Sequence, residues 1–198
     1  IVCLSVKKYN IVPYRIHVYR YKAKEWYVYE NWAEQRAEMF NNEHRRKYQI
    51  DVIMRHYKTG NASLVLSERV EEVKMLFEAL KEAWVHCAMI TGETKTQDDN
   101  EVIDKLEKWE VSVIIATTGK VARWVDIPII DTIFMFAWVQ FEWTIVQAVW
   151  RALRIHPKKE RVEIIDFSDD ECRNQRYQRV KAYQAEYWLN PPAITIYK

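Results

Sequence analysis

From Ala62 onward, short apolar runs alternate with segments whose apolar residues recur every three or four positions. The runs at 63–67, 85–90, 111–116, 132–137 and 161–166 have the length of buried strands. Between them, Val70, Val73, Leu76, Phe77 and Leu80 keep helical spacing over 69–83. Val102, Ile103 and Leu106 mark a second helix near 97–108, and a third is predicted near 143–153. Such alternation predicts an α/β fold, an open, mainly parallel sheet with helices on both faces. Sheets of this kind bind ligands at the carboxyl ends of their strands. Ser67, Thr91, Thr117 and Thr118 fall at those ends.

The flanks read differently. Residues 1–22 read as extended: Ile11 and Val12 precede Pro13, then Ile16 and Val18 alternate with Arg15, His17 and Tyr19. By itself that pattern fits an edge strand. Residues 30–58 contain no Gly or Pro and predict one or two helices. Within them Arg45, Arg46 and Lys47 form a basic knot, read as a solvated helix face or a phosphate contact. Thr117-Thr118-Gly119-Lys120 reads as a polar turn. Residues 173–188 predict a basic helix laced with tyrosine. There Arg173, Arg176 and Arg179 either touch a nucleic-acid backbone or accompany simple packing on the sheet.

Charge changes the picture little. A formal net charge of +2 gives no global basic field, so any contact with nucleic acid is local. Cys3, Cys87 and Cys172 are odd in number and far apart, which argues for a reduced, intracellular protein. His86 beside Cys87 on a strand is a poor metal clamp, because neighbouring side chains point to opposite faces. No metal site is expected. No apolar run approaches the ~20 residues of a membrane span, and no signal peptide is evident.

The candidate chemistry is phosphate chemistry without a phosphate loop. Arg151 and Arg154 are three apart, so on a helix they project from one face, where two guanidiniums can grip a phosphate with forked hydrogen bonds. Gly119-Lys120 is followed by Val121 where Ser or Thr is required, and Ile114 stands where the loop's first glycine belongs. Ile164-Ile165-Asp166 with Asp169-Asp170-Glu171 has the apolar-then-acidic pattern of a magnesium site. Without a phosphate loop it reads instead as a strand end and a helix cap.

Several stretches in series resemble the second motor domain of superfamily-two helicases, the DEAD/DEAH and restriction-enzyme-like ATPases. Leu64-Val65-Leu66-Ser67-Glu68-Arg69 is similar to their motif IV, and Thr91-Gly92 to the turn after the next strand. Ala116-Thr117-Thr118 through Val125-Asp126-Ile127-Pro128 resembles motif V. Gln147-Ala148-Val149-Trp150-Arg151-Ala152-Leu153-Arg154 resembles motif VI, usually Gln-x-x-Gly-Arg-x-x-Arg. Order and spacing fit over roughly residues 60–170. The resemblance implies a RecA-like sheet over 61–198, preceded by a linker segment at 1–30 and a helical extension at 31–60. It implies that Arg151 and Arg154 are arginine fingers for an ATP γ-phosphate. Gln147 and Asp126 help hold the nucleotide. Ser67, Arg69, Thr91, Gly92, Thr117 and Thr118 touch a DNA or RNA backbone. ATP and Mg2+ are then held mainly by a first motor domain, in cis or in trans. The expected location is cytoplasmic, with a phage or restriction-type system as one setting.

Against that family one departure is systematic. The chain has 3 Gly and 9 Trp, where average usage gives roughly 14 Gly. Trp84, Trp109, Trp124, Trp143 and Trp150 all stand where the family usually has glycine. Trp84 and Trp109 also follow predicted helices, where a chain normally needs a positive φ. UGA codons decoded under the wrong genetic code would produce this pattern; redesign or drift in a decayed gene are the rivals. If the indoles at 124 and 150 are native, they crowd the cleft. The alternative function is then a motor half that binds nucleic acid or a partner without ATPase activity. A flavodoxin-like small-molecule binder explains the sheet but leaves Gln147–Arg154 without a purpose.

Overall fold

The computed structural model describes residues 12–22, 31–57, 60–124, 127–136, 152–172, 177–179, 181 and 194–197. In chain order the elements are β1 (Tyr14–Tyr21), α1 (Trp32–Asn41), α2 (Glu43–His56), β2 (Ser63–Ser67), α3 (Val70–Glu82), β3 (Cys87–Ile90), α4 (Thr96–Glu107), β4 (Val113–Thr117), α5 (Thr118–Trp124), β5 (Thr132–Met135), β6 (Val162–Asp169) and β7 (Ile194–Tyr197). The strands form one sheet in the order β3-β4-β2-β5-β6-β1-β7, and every recorded pairing is parallel.

The period-2 pattern of the strands divides the core into two layers. Leu64, Leu66, Ile114, Ala116, Ile133, Met135, Ile16 and Val18 face one side, where Leu106 of α4 and Val121 of α5 cover them. Val65, Val113, Ile115, Phe134, Ile165 and Phe167 face the other, beneath Val52 and Ile53 of α2 and Val73, Leu76 and Leu80 of α3. The open parallel sheet covered on both faces is therefore present.

Three local expectations change. β1 is no edge strand; it lies between β6 and β7 and pairs with both. β7 is a four-residue strand that starts two residues after Pro192, where the sequence pattern predicts none. The predicted polar turn at 117–120 is the end of β4 running directly into α5. Val121 fixes that helix in the core, and Lys120 ties it to α4 by pairing with Asp99 at 2.8 Å. The segment 30–58 is two helices, broken at Asn42, whose side chain accepts from the Arg45 amide at 3.0 Å and caps α2. Of the helix predicted near 143–153 and the one at 173–188, most lies outside the described residues.

The ends of α3 and α4 share one geometry. After α3, the Trp84 amide donates to Lys81 O and the Val85 amide to Leu80 O, both at 3.0 Å. After α4, the Trp109 amide donates to Leu106 O at 3.1 Å and the Glu110 amide to Lys105 O at 2.9 Å. Each pair of bonds is a Schellman closure, which requires a left-handed residue just past the helix cap. Trp84 (φ 59) and Trp109 (φ 63) occupy those two positions.

Candidate functional site

The carboxyl ends of β3, β4 and β2 lie side by side, with Ser67 in register with Thr117 and Ile90 with Ala116. Ser67, Thr91 and Thr117 are thus brought to one edge of the sheet, with Thr118 opening α5 beside them. What the edge presents differs from its sequence. Ser67 is fully buried; its hydroxyl donates to Glu72 and accepts from the Arg69 amide at 3.3 Å. Thr91 is buried too, and its hydroxyl accepts from the Glu93 amide at 3.2 Å. These two hydroxyls build the loops rather than project from them. Gly92 is exposed, with open space where a Cβ would stand, and Thr118 is half-buried. The Arg69 guanidinium lies 4.3 Å from the centre of the Phe40 ring, a cation–π contact that holds it at the rim of this edge.

The Thr91–Thr94 turn is held from both sides. Thr94 Oγ1 lies 2.7 Å from Thr91 O and 2.7 Å from Asp99 Oδ1. Lys120 Nζ donates to Thr94 O at 2.8 Å while pairing with Asp99. Gly119-Lys120 is therefore a brace between two loops and not part of a phosphate cradle.

Asp126, Gln147 and Arg151 lie outside the described residues, as do Trp143, Trp150 and the side chain of Trp124. The residues that adjoin them are described. Ile127 lies in the segment that resembles motif V and Ile129 and Ile130 follow it, while Ala152 and Leu153 lie in the segment that resembles motif VI; all five are buried in one core layer. Arg154 is exposed directly after them.

At the ends of β6 and β1 the acidic pattern has a different use. Asp169 receives a two-pronged contact from Arg45, Nε at 2.8 Å and Nη2 at 3.0 Å. Arg45 Nη1 also reaches Glu72 at 3.0 Å, which Gln49 contacts at 3.1 Å. Asp166 is gripped by Arg179 at 2.8 and 2.9 Å, and Asp170 by Arg20 at 2.8 and 2.9 Å. Arg45 is 1 % exposed and Arg179 is 2 % exposed, so neither is a solvated face residue or a phosphate contact. Burial opposes the Arg45 charge, but Asp169 and Glu72 outweigh it and raise its pKa. Asp166, Asp169 and Asp170, three carboxylates of the pattern that mimics a magnesium site, are each engaged by a guanidinium, a poor donor set for Mg2+. Among the described residues no group of three His, Cys, Asp or Glu side chains is placed to hold a metal. Nor is any described helix long and apolar enough to cross a membrane.

A seven-stranded sheet whose recorded pairings are all parallel, covered by helices on both faces and with polar loops at its carboxyl edge, matches the RecA-like fold. Residues 44–156 match the Helicase conserved C-terminal domain, and the chain belongs to that family. The ATP-dependent RNA helicase SrmB of Haemophilus influenzae is 26 % identical over 152 residues, covering 76 % of this chain and 31 % of that protein. A second curated relative is matched over only 18 % of its length, so the chain spans less than a third of either. Among solved structures, E. coli DEAD-box protein SrmB, bound to regulator of ribonuclease activity A, superposes with a TM-score of 0.66 at 18 % identity. That match covers 91 % of this chain and 89 % of that one. T4 UvsW gives 0.70 at 13 % identity over 93 % and 41 %. At such identities these likenesses bear on the fold alone.

Proposed function

We propose that the chain is the second motor domain of an ATP-dependent nucleic-acid helicase or translocase. It supplies arginine fingers and strand-backbone contacts to a first motor domain, in cis or in trans. The observation that carries this reading is the serial order of motif-like segments on a RecA-like sheet, with Thr117 and Thr118 at its carboxyl edge. Gln147, Arg151 and Arg154 close the array, and Asp126 stands between. Arg151 and Arg154 stabilise charge that spreads over the phosphoryl oxygens during transfer. Gln147 and Asp126 orient the nucleotide end of the cleft. Gly92, Thr118, Arg69 and the amides of the Ser67, Thr91 and Thr117 loops meet the DNA or RNA backbone, a grip that carries no sequence information. ATP and Mg2+ are held mainly by the first motor domain: the sequence has no phosphate-loop motif, and Asp166, Asp169 and Asp170 are engaged by arginines.

ATP turnover with and without single-stranded DNA or RNA tests the reading. The chain alone is expected to be inactive, and the protein carrying both motor domains to show strand-stimulated hydrolysis. Strand binding without any turnover in the two-domain protein would instead select the binding-only alternative. That alternative is favoured if the indoles at 124 and 150 are native.

A further inference from the structure

Lys159 sits in the loop before β6 and is 8 % exposed. Its ammonium donates to three backbone carbonyls: Pro128 O at 2.7 Å, Ile130 O at 3.2 Å, and Ala152 O. Pro128 lies two residues past Asp126, and Ala152 directly follows Arg151. The two segments it joins already share a core layer through Ile127, Ile129, Ile130, Ala152 and Leu153. Apolar contact alone allows sliding, whereas three directed hydrogen bonds from one charged centre fix both segments in place. Resting on the reading above, we propose that Lys159 is a positioning residue for the ATPase, clamping the end of motif V to the end of motif VI.

An ammonium has three N–H groups for three carbonyls; the neutral amine has two. Burial pulls the Lys159 pKa down to about 8, and the nearby Asp131 carboxylate opposes that shift. Asp131 itself is raised by burial, with hydrogen bonds from Thr132 and the Ala62 amide acting against it. Lys158, Glu160, Arg161 and Glu163 line the same cavity of about 290 Å³, and Glu163 is committed to His17 at 2.7 Å and Arg161 at 3.0 Å. The clamp therefore loses a donor as pH rises through about 8. Global stability moves the other way. The folded pKa lies below the usual 10.5, so the unfolded chain binds more protons between those values and stability rises with pH there. Alkaline loss of turnover thus cannot be ascribed to unfolding at this group.

The test uses the two-domain protein, wild type and Lys159→Met, with single-stranded nucleic acid and ATP from pH 6.5 to 9.5. Lys159→Met is expected to lower kcat about 10- to 100-fold, as a displaced catalytic group does, with KM and strand affinity within about twofold. The wild-type kcat is expected to fall above pH ~8, a limb that Lys159→Met lacks. Unchanged kcat in Lys159→Met overturns the clamp. If Lys159→Met does not fold, Lys159→Gln, which keeps two N–H donors, is read by the same criterion. If wild-type turnover is absent, the motor reading has failed, and amide hydrogen exchange decides the clamp separately. Protection at residues 127–131 and 152–154 must then be lower in Lys159→Met or Lys159→Gln than in the wild type while β2 and β4 stay protected; equal protection overturns it.

A separate observation carries a second inference. The non-glycine residues with positive φ among the described residues are Trp84 and Trp109, and both close Schellman turns. Tryptophan has no means to relieve the left-handed strain that glycine avoids. Trp84 is 90 % exposed and gains no packing in return, whereas Trp109 rests on the core and under the Lys158 ammonium, 5.4 Å from its ring. We infer that glycine is the native residue at 84 and 109. Peptide mass spectrometry of the protein from its native source is expected to show glycine at both positions, and tryptophan there overturns the inference. The strain itself is read by Trp84→Gly, expected to raise the melting midpoint by roughly 2–4 °C, and by more than Trp109→Gly.

Discussion

Arg151→Ala, made in the protein that carries both motor domains, is expected to cut strand-stimulated ATP hydrolysis by about 10³-fold or more. Strand affinity should stay within about twofold. The size follows from the proposed role: a guanidinium that meets the γ-phosphoryl oxygens only as charge develops lowers the barrier and leaves ground-state binding untouched. Circular dichroism checks that the variant folds. Ala152 and Leu153, directly after Arg151 in the chain, are 3 % and 0 % exposed and belong to a core layer. Arg151→Lys keeps the charge but loses the planar fork, so it should recover only part of the rate. Arg154→Ala should fall in the same direction, and the double variant should lose much less than the sum, because two groups acting on one transition state are not additive. Turnover retained at Arg151→Ala removes the finger assignment.

Periodicity made the sheet legible from Ala62 onward. Buried strands such as Ser63–Ser67 announce themselves by unbroken apolar runs, and α3 by apolar residues three and four apart. Strand order is another matter. That β1 pairs with β6, far along the chain, follows from tertiary contacts that no local pattern encodes. Ser67, Thr91, Thr117 and Thr118 were legible as one strand-end group because periodicity locates strand ends, whereas Asp126, Gln147 and Arg151 lie outside the described residues. The side-chain chemistry of that strand-end group was not legible. Ser67 looked like a displayed hydroxyl, yet Glu72, one helical turn into α3, captures it. Arg45 looked like one of three surface cations. Its partners, Glu72 and Asp169, are 27 and 124 residues away, so its burial could not be inferred from its neighbours. The acids at 166, 169 and 170 were noticed, but the arginines that engage them come from three other elements. Lys158 and Lys159 stand side by side before β6 and only the second is buried, a difference that no local pattern shows.

Arg45→Met is expected to destabilise the folded domain by about 3–5 kcal/mol, the usual cost of removing one partner from a buried charge cluster. The reason is the pair left behind. Asp169 and Glu72 have side chains 0 % and 3 % exposed, and without Arg45 two carboxylates face each other in the core with too few donors. Gln49 and Ser67 still reach Glu72, but neither carries charge. Urea unfolding followed by circular dichroism measures the loss, and a change below about 1 kcal/mol would contradict the network's role. Neutralising all three groups together, Arg45→Met with Glu72→Gln and Asp169→Asn, should restore most of the stability, since the uncompensated charge is then gone. Salt separates this cluster from surface pairs. Lys74 and Glu93, at 2.9 Å but half-exposed or more, are screened by solvent ions, so their variants should converge on wild type at high salt. The Arg45 deficit should persist there. Its functional consequence runs through geometry: Arg45 ties the end of β6 to Glu72, and Glu72 holds Ser67 at the end of β2. Loosening it should therefore weaken strand binding through the Ser67–Arg69 loop before it affects the arginines of motif VI.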